Sequence, residues 1–219
     1  MLPNFCFYRA SLYRKKEDRW LSKSRIVFAS KNRDKYREMV FLLREAPVEL
    51  LFGPEVTKVD IQVQETGNSY SENALHKASA WSEILNMPAL ADDSGIEVTA
   101  LCNEPGVHSA RIAEDDELRI LWVLNKLKGV ENREARFVAS IALVLPKMSQ
   151  VWLTVGICYG KVSQVKKGDN GFGYDPIFVP KGYEKTFAEL EAEAKHRISH
   201  RYIAAKALCD MFKSQNVLE

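Results

Sequence analysis

PALADDSGIEV, residues 88–98, runs an apolar approach into two adjacent carboxylates, Asp92 and Asp93, then a Ser-Gly pair and a second alternating run. Successive side chains on a strand point to opposite faces, so at most one of these acids can look into a given pocket unless the chain has already turned. Asp, Ser and Gly are the usual corner residues of a hairpin. On that preference the stretch reads as two strands, 89–91 and 96–100, turning through DDSG.

The flanking sequence supplies the rest of the architecture. Ser69 and Glu72 have the S-x-x-E spacing of a capping box, and Tyr70, Ala74, Ala78, Trp81 and Leu85 form one apolar stripe, predicting a helix to about residue 86 that Pro88 ends. Residues 25–29 read as a short buried strand, after which Ser30, Lys31 and Asn32 introduce a helix running to about Arg44. Strands are expected at 48–52 and 60–63, a helix over 114–128, and two longer strands at 135–145 and 151–159 joined as a hairpin through PKMSQ. A Gly-rich segment, 168–175, is followed by an extended stretch at 177–179. Ser199 then caps a last helix whose Ile203, Ala207, Leu208, Met211 and Phe212 are expected to face inward. Strands interleaved with helices, plus one long hairpin, predict an α/β fold with a central mixed sheet.

Composition narrows the function classes. At 219 residues, 46% hydrophobic and 27% charged, the chain can bury a sizeable core. Net charge is +2, but residues 1–24 carry +4 and the remainder −2, so the body has no nucleic-acid footprint, and an anionic partner is expected to be a small ligand. Residues 1–24 read as a loosely attached extension and 25–219 as the folded unit. Cys6, Cys102, Cys158 and Cys209 form no C-x-x-C pair or zinc spacing, and no apolar run reaches the roughly 20 residues of a spanning helix, so a reduced, cytoplasmic setting is the simplest expectation.

Several stretches could carry chemistry. Ser30, Asn32 and Lys35 lie where the first strand hands over to a helix, a place where free N–H groups favour an anion, and a lysine in the first turn opposes the helix dipole unless an anion meets it. Lys195, His196, His200 and Arg201 cluster about the start of the last helix, where basic residues are disfavoured; a donor-rich pocket for carbonyl or phosphate oxygens fits them better than zinc. Asn73 and Lys77 share a helix face. Gly171-Phe-Gly-Tyr-Asp-Pro176 lacks the third glycine of a dinucleotide fingerprint, and no P-loop is present; what remains is a glycine loop carrying an aromatic ring suited to stacking, and a carboxylate.

Taken in order, SKNRDK (30–35), ETGNSYSENALHKA (65–78), PALADDSGIEV, PGVHSAR (105–111), ARFVASIAL, GFGYDPIF (171–178), KTFAEL and ISHR resemble the inosine triphosphate pyrophosphatase family over about residues 26–208. The resemblance implies an elongated, two-lobed domain with a nucleotide cleft between the lobes, usually a homodimer. It implies Mg2+-dependent hydrolysis of ITP, dITP and XTP to the monophosphate and pyrophosphate. Carried over by motif, Ser30, Asn32, Lys35 and Lys77 would hold the triphosphate, with Ser94 beside Asp93. Asp93 would be the proton acceptor and a magnesium ligand, and Phe172, Gly173, Tyr174, Asp175, Lys195, His200 and Arg201 would form the base pocket. Many members have a metal-binding carboxylate at the position of Gln64, whereas here the acid is its neighbour Glu65, which is taken as the second ligand. Two alternatives stay open: a Maf-like pyrophosphatase acting on dTTP, UTP or modified pyrimidine nucleotides, and a nucleotide-binding protein without turnover.

Overall fold

The computed structural model describes residues 24–148 and 150–215; the expectation for residues 1–24 falls, but for Ser24, outside them, as does Ser149 of the hairpin connection. Among the described residues six strands form one mixed sheet in the order β2-β1-β3-β4-β5-β6: β1 Ser24–Phe28, β2 Val48–Phe52, β3 Ala89–Val98, β4 Glu134–Val144, β5 Val151–Val162 and β6 Phe178–Pro180. β1 runs parallel to β2 and β3, and every later pairing is antiparallel. The helices are α1 Arg33–Leu42, the single turn α2 Gly53–Val56, α3 Tyr70–Leu85, α4 Asp116–Lys126, α5 Ala192–Ile198 and α6 His200–Gln215. None is long and apolar enough to cross a membrane.

The expected turn at DDSG is corrected. β3 is one uninterrupted strand, and Asp92, Asp93, Ser94 and Gly95 pair in register with Ile141, Ser140, Ala139 and Val138 of β4. Corner residues stay extended here because a complete partner strand offers every backbone group a ladder bond, which outweighs their local turn preference. Gly95 has a packing role instead: a Cβ there would meet Ser109 Oγ at 2.4 Å and the Gly106 carbonyl oxygen at 2.5 Å, so only glycine lets the 106–109 turn lie on the strand.

Alternation along β3 organises the molecule. Ala89 and Ala91 face α3, packing with Ala74, Ala78 and Trp81, as the stripe predicted. On the opposite face Leu90 joins the cluster of α1 and α6 residues, Met39, Leu43, Ala204 and Leu208, while Ile96 and Val98 join a separate one with Val123, Leu127, Phe137 and Phe178. Asp92 and Ser94 therefore stand between two apolar clusters on one face of a single strand, the physical basis of a two-part body with a polar seam.

Other boundaries shift for identifiable reasons. Residues 60–63 pair with no strand; Asp60 instead accepts from Lys31 and Gln62. α4 begins at Asp116 because Asp115 caps it, accepting from Leu118 N, and α3 ends at Asn86, which takes the left-handed conformation before Pro88 is reached. Ser199 caps the last helix as expected, its Oγ accepting from Tyr202 N at 3.1 Å, but it also ends a further helix, α5, that the sequence reading does not include. On α6 the inward positions are Arg201, Ala204, Ala205, Leu208 and Phe212, whereas Ile203 and Ala207 are exposed; a buried charge holds the place that hydrophobic patterning assigns to an apolar residue.

Replacing Gly95 by alanine is expected to lower the free energy of unfolding by about 1–3 kcal/mol, the usual cost of overpacking. Urea unfolding measures it, and a loss below about 0.5 kcal/mol, the scale of an ordinary surface substitution, would contradict the close packing described.

Candidate active site

β1 stops where Phe28 pairs with Leu90, but β3 continues, so its two aspartates lie just past the carboxyl end of β1 beside the start of α1. Ligand crevices of open α/β sheets form at such carboxyl ends. Ser30 Oγ accepts from Asn32 N at 3.1 Å, and Asn32 caps α1 by accepting from Lys35 N at 2.9 Å. These bonds aim the first turn of α1 at the seam.

Asp92 turns toward α1 and α6. Fully buried, it meets Lys35 Nζ at 2.9 Å and the Arg201 guanidinium at 3.3 Å, and accepts from Ser94 Oγ at 3.3 Å; Arg201 Nη2 also donates to Ser94 Oγ at 2.8 Å. The dipole-opposing charge of Lys35 is thus met by a protein carboxylate. Asp93 turns to the α3 side, where Asn73 Nδ2 donates to it at 3.1 Å and Lys77 Nζ at 2.9 Å. Lys77 Nζ also donates to Glu65 Oε1 at 2.8 Å and to the Asp92 carbonyl at 3.0 Å. Arg111 Nη1 secures Glu65 from the other side, donating to its Oε2 and its carbonyl oxygen at 2.9 Å each. Gln64 is exposed, so Glu65 is the acid that faces Asp93.

A second set of charges lies under the glycine loop. Glu38, buried on α1, accepts from Arg201 Nη1 at 2.5 Å and stands 3.6 Å from Lys195 Nζ. Lys195 also donates to Asp175 Oδ2 at 2.6 Å, and that carboxylate accepts from Phe172 N at 2.9 Å. The Lys195 ammonium and Arg201 guanidinium lie 5.1 and 5.5 Å from the Phe172 ring centre, within cation–π range. His200 stacks on Phe137 at 4.6 Å and 13°. Tyr174 is buried, its hydroxyl donating to the Ser109 carbonyl at 2.7 Å, which gives it an anchoring role in this fold.

These surroundings set protonation. Burial alone would raise Asp92, but Arg201 and Lys35 hold it well below the usual carboxylate range, whereas burial pushes Asp93 up and Lys77 and Lys35 offset only part of that. Neighbouring acids are thereby split, one a fixed anion and the other the better proton acceptor. Burial, then Arg201, drives His200 far below its ordinary value, so it is neutral rather than the cation its position suggested. Burial also lowers His196.

Asn32, Lys35, Ser94, Phe172, Gly173, Tyr174, Asp175, His200 and Arg201 line one cavity of about 130 Å³, joined by Ser109, Asp116 and Arg119. Glu65, Lys77 and Asp93 gather on the α3 side of β3, and Ser30 and Lys195 are outside the cavity lining. Glu38, Arg111 and Asp116 were not foreseen as site residues. Arg111 lay within a motif quoted above; Glu38 carried no local signal, since only the fold brings Lys195 and Arg201 to it.

This geometry defines an α/β protein in which Lys35, Arg201 and the Phe172 loop line one cavity and Asp93, Lys77 and Glu65 gather across β3 from it. A statistical model of the Ham1 family matches residues 26–211, and the chain belongs to that family. It is 40% identical over 202 residues to the dITP/XTP pyrophosphatase of Aquifex aeolicus (strain VF5), covering 87% of this chain and 97% of that one. It is 42% identical over 189 residues to the dITP/XTP pyrophosphatase of Christiangramia forsetii, covering 85% and 97%. The Ham1 protein structure from Staphylococcus aureus superposes with a TM-score of 0.78 at 37% identity, covering 88% of this chain and all of that one.

Glu38 titrates against Arg201, Lys195 and His196. Burial would raise its pKa, but these neighbours lower it below the ordinary value, so its contribution is present above the unfolded-state pKa of about 4.3 and is lost as pH falls below that. Glu38→Gln is expected to cost about 3–5 kcal/mol at pH 7, because two buried cations lose a partner, and the gap to wild type should narrow on acidification below pH ~4. Urea unfolding from pH 3 to 8 checks it; a gap that stays constant across the series contradicts this account.

Proposed function

We propose that the chain hydrolyses non-standard purine nucleoside triphosphates, dITP, XTP and ITP, to the nucleoside monophosphate and pyrophosphate, clearing them from the nucleotide pool. The observation that carries this reading is the convergence of Asp93, Lys77 and Glu65 beside the start of α1, one strand width from the cavity of Phe172, His200 and Arg201. The dITP/XTP pyrophosphatases about 40% identical to it over most of the chain support it.

In this reading the phosphates lie along the first turn of α1, met by Lys35 and Lys77, and the base enters the cavity against Phe172. Asp93 takes a proton from the water that attacks the α-phosphorus, and the α–β anhydride bond breaks with its electrons passing to pyrophosphate. Lys77, already among three oxygen acceptors, is placed to follow charge onto the leaving group. Glu65 and Asp93 present two hard carboxylates around one cation; among the described residues no third His, Cys, Asp or Glu completes a cluster. That donor set fits Mg2+, which takes one or two carboxylates and leaves its other positions to phosphate and water. When bound there, the ion supplies further neutralisation of the phosphate charge.

Base selection falls mainly to His200. Lys195 and Arg201, expected to donate to a 6-oxo group, are already held by Asp175, Glu38 and Asp92, whereas His200 Nδ1 is buried without a partner. A 6-oxo purine can accept a hydrogen bond from a neutral imidazole N–H, while the 6-amino group of adenine would bring a second donor; a mismatch of that kind can discriminate by roughly 10⁴-fold.

A homodimer in the cytoplasm completes the reading. It is supported by free Cys102, Cys158 and Cys209 and by Val151, Leu153, Val155 and Tyr159, which make one exposed apolar row on β5. Sedimentation equilibrium is expected to return twice the 24.9 kDa chain mass, and a single-chain mass at micromolar concentration would count against the dimer.

Pyrophosphate release measured with ITP, XTP, dTTP and ATP should favour the first two and stop on chelation of Mg2+. Asp93→Asn is expected to lower kcat by about 10²-fold or more with nucleotide binding largely kept, the usual scale for a lost general base. Preference for dTTP would favour the Maf-like alternative, and tight ITP binding without turnover in the wild type would favour a binding protein.

A further inference from the structure

The ring expected to meet the base sits on a glycine loop, and two carboxylates hold its backbone at adjacent residues. Asp175 accepts from Phe172 N at 2.9 Å within the loop itself. Asp116 Oδ2 accepts from Gly173 N at 2.7 Å, across 57 residues of sequence. Asp116 opens α4, a helix packed in the cluster of Ile96, Val98 and Phe137, so this bond ties the loop to the body of that half of the molecule.

Arg119, one turn further along α4, aims Asp116. Its Nη1 donates to Asp116 Oδ1 at 2.8 Å, leaving Oδ2 for Gly173, while its Nε and Nη2 donate to the carbonyls of Ala113 and Glu114 at 3.0 and 3.3 Å. Both residues line the same cavity as Phe172, Gly173 and His200. Gly173 has φ +62°, and a Cβ built there would meet nothing within 4 Å. Its conformation suits glycine, and that side of its backbone is open, as a surface against which a planar ligand lies must be.

We propose that Asp116, oriented by Arg119, is a positioning residue for substrate: it fixes Phe172 and Gly173 as the platform for the base and so governs KM rather than the chemical step. The inference rests on the assignment of this cavity to the base. Asp116 makes its contact with Gly173 N, an uncharged amide whose loss frees the loop while Asp93, Lys77 and Glu65 on the other face of β3 keep their bonds.

The test uses the full-length chain with Asp116→Ala, Asp116→Asn and Arg119→Ala, each assayed for ITP hydrolysis and for amide hydrogen exchange without nucleotide. Asp116→Ala is expected to raise KM for ITP about tenfold with kcat within about twofold, the pattern of lost ground-state and transition-state binding alike. Asp116→Asn should return KM to within about threefold of wild type, since an amide oxygen still accepts from Gly173 N, and Arg119→Ala should fall between the two. Exchange over residues 171–175 should accelerate in the alanine variant. A wild-type KM in Asp116→Ala, a fall in kcat at unchanged KM, or an asparagine variant as impaired as the alanine would each overturn the proposal. Should wild-type chain turn over no ITP, the proposed activity itself fails, and exchange alone decides Asp116: unaltered exchange at 171–175 in Asp116→Ala overturns its role in holding the loop.

Discussion

Two adjacent ionised carboxylates on one strand can be buried only if each is met by positive charge, and the pleat sends them to opposite faces, so each side chain here has its own ion-pair partner. Everything distinctive in this molecule follows from that requirement. Asp92 draws Lys35 from α1 and Arg201 from α6 to one face of β3, and Asp93 draws Lys77 and Asn73 from α3 to the other. Three helices distant in sequence thereby converge on the point where β1 ends. The Lys77 ammonium also reaches the Asp92 backbone carbonyl, which stitches the two faces together at the strand itself.

The charges form two layers with different physical consequences. In the deeper one, Glu38, Asp175 and Asp92 are met by Lys195 and Arg201, all five nearly solvent-free, and Lys35 supplies the balancing cation at Asp92. Such a network costs several kcal/mol per ion in desolvation, and well-packed apolar residues often match it for stability. What it supplies is geometry: the guanidinium and the ammonium are held against Phe172, and His200 is kept neutral beside Phe137. In the shallower layer, Lys77, Glu65 and Arg111 remain partly open to solvent.

Much of this was legible from residue order. The S-x-x-E spacing at Ser69 and Glu72 located α3, although Glu72 accepts from Asn68 N rather than from Ser69 N; the stripe named residues that meet the sheet, and the strand-to-helix handover at 30–32 located the start of α1. These features are local: a cap needs residues three apart, and an amphipathic face needs a period of 3.6. The errors share an opposite origin. Turn preference, which is also local, assigns DDSG to a corner, while the strand it forms is imposed by β4, more than forty residues away in sequence. On α6 the pattern places Leu208 and Phe212 correctly but Ile203 and Ala207 inward in error, because the buried Arg201 counts as a surface residue in any hydrophobic pattern and only Glu38 and Asp92 make it an interior one.

By itself, then, the sequence determined that this is an α/β chain with a mixed sheet, which residues carry acid, base and ring chemistry, and which family's motifs they follow. The tertiary structure decided how those residues divide the work. It sent Asp92 inward to two cations and left Asp93 with the raised pKa, turned Glu65 rather than Gln64 toward it, withdrew the charge expected on His200, and brought Glu38, Arg111 and Asp116 into play. The physical reason is that protonation and partnership depend on burial and on the charges within a few ångströms, and those distances are set by strands and helices meeting across the whole length of the chain.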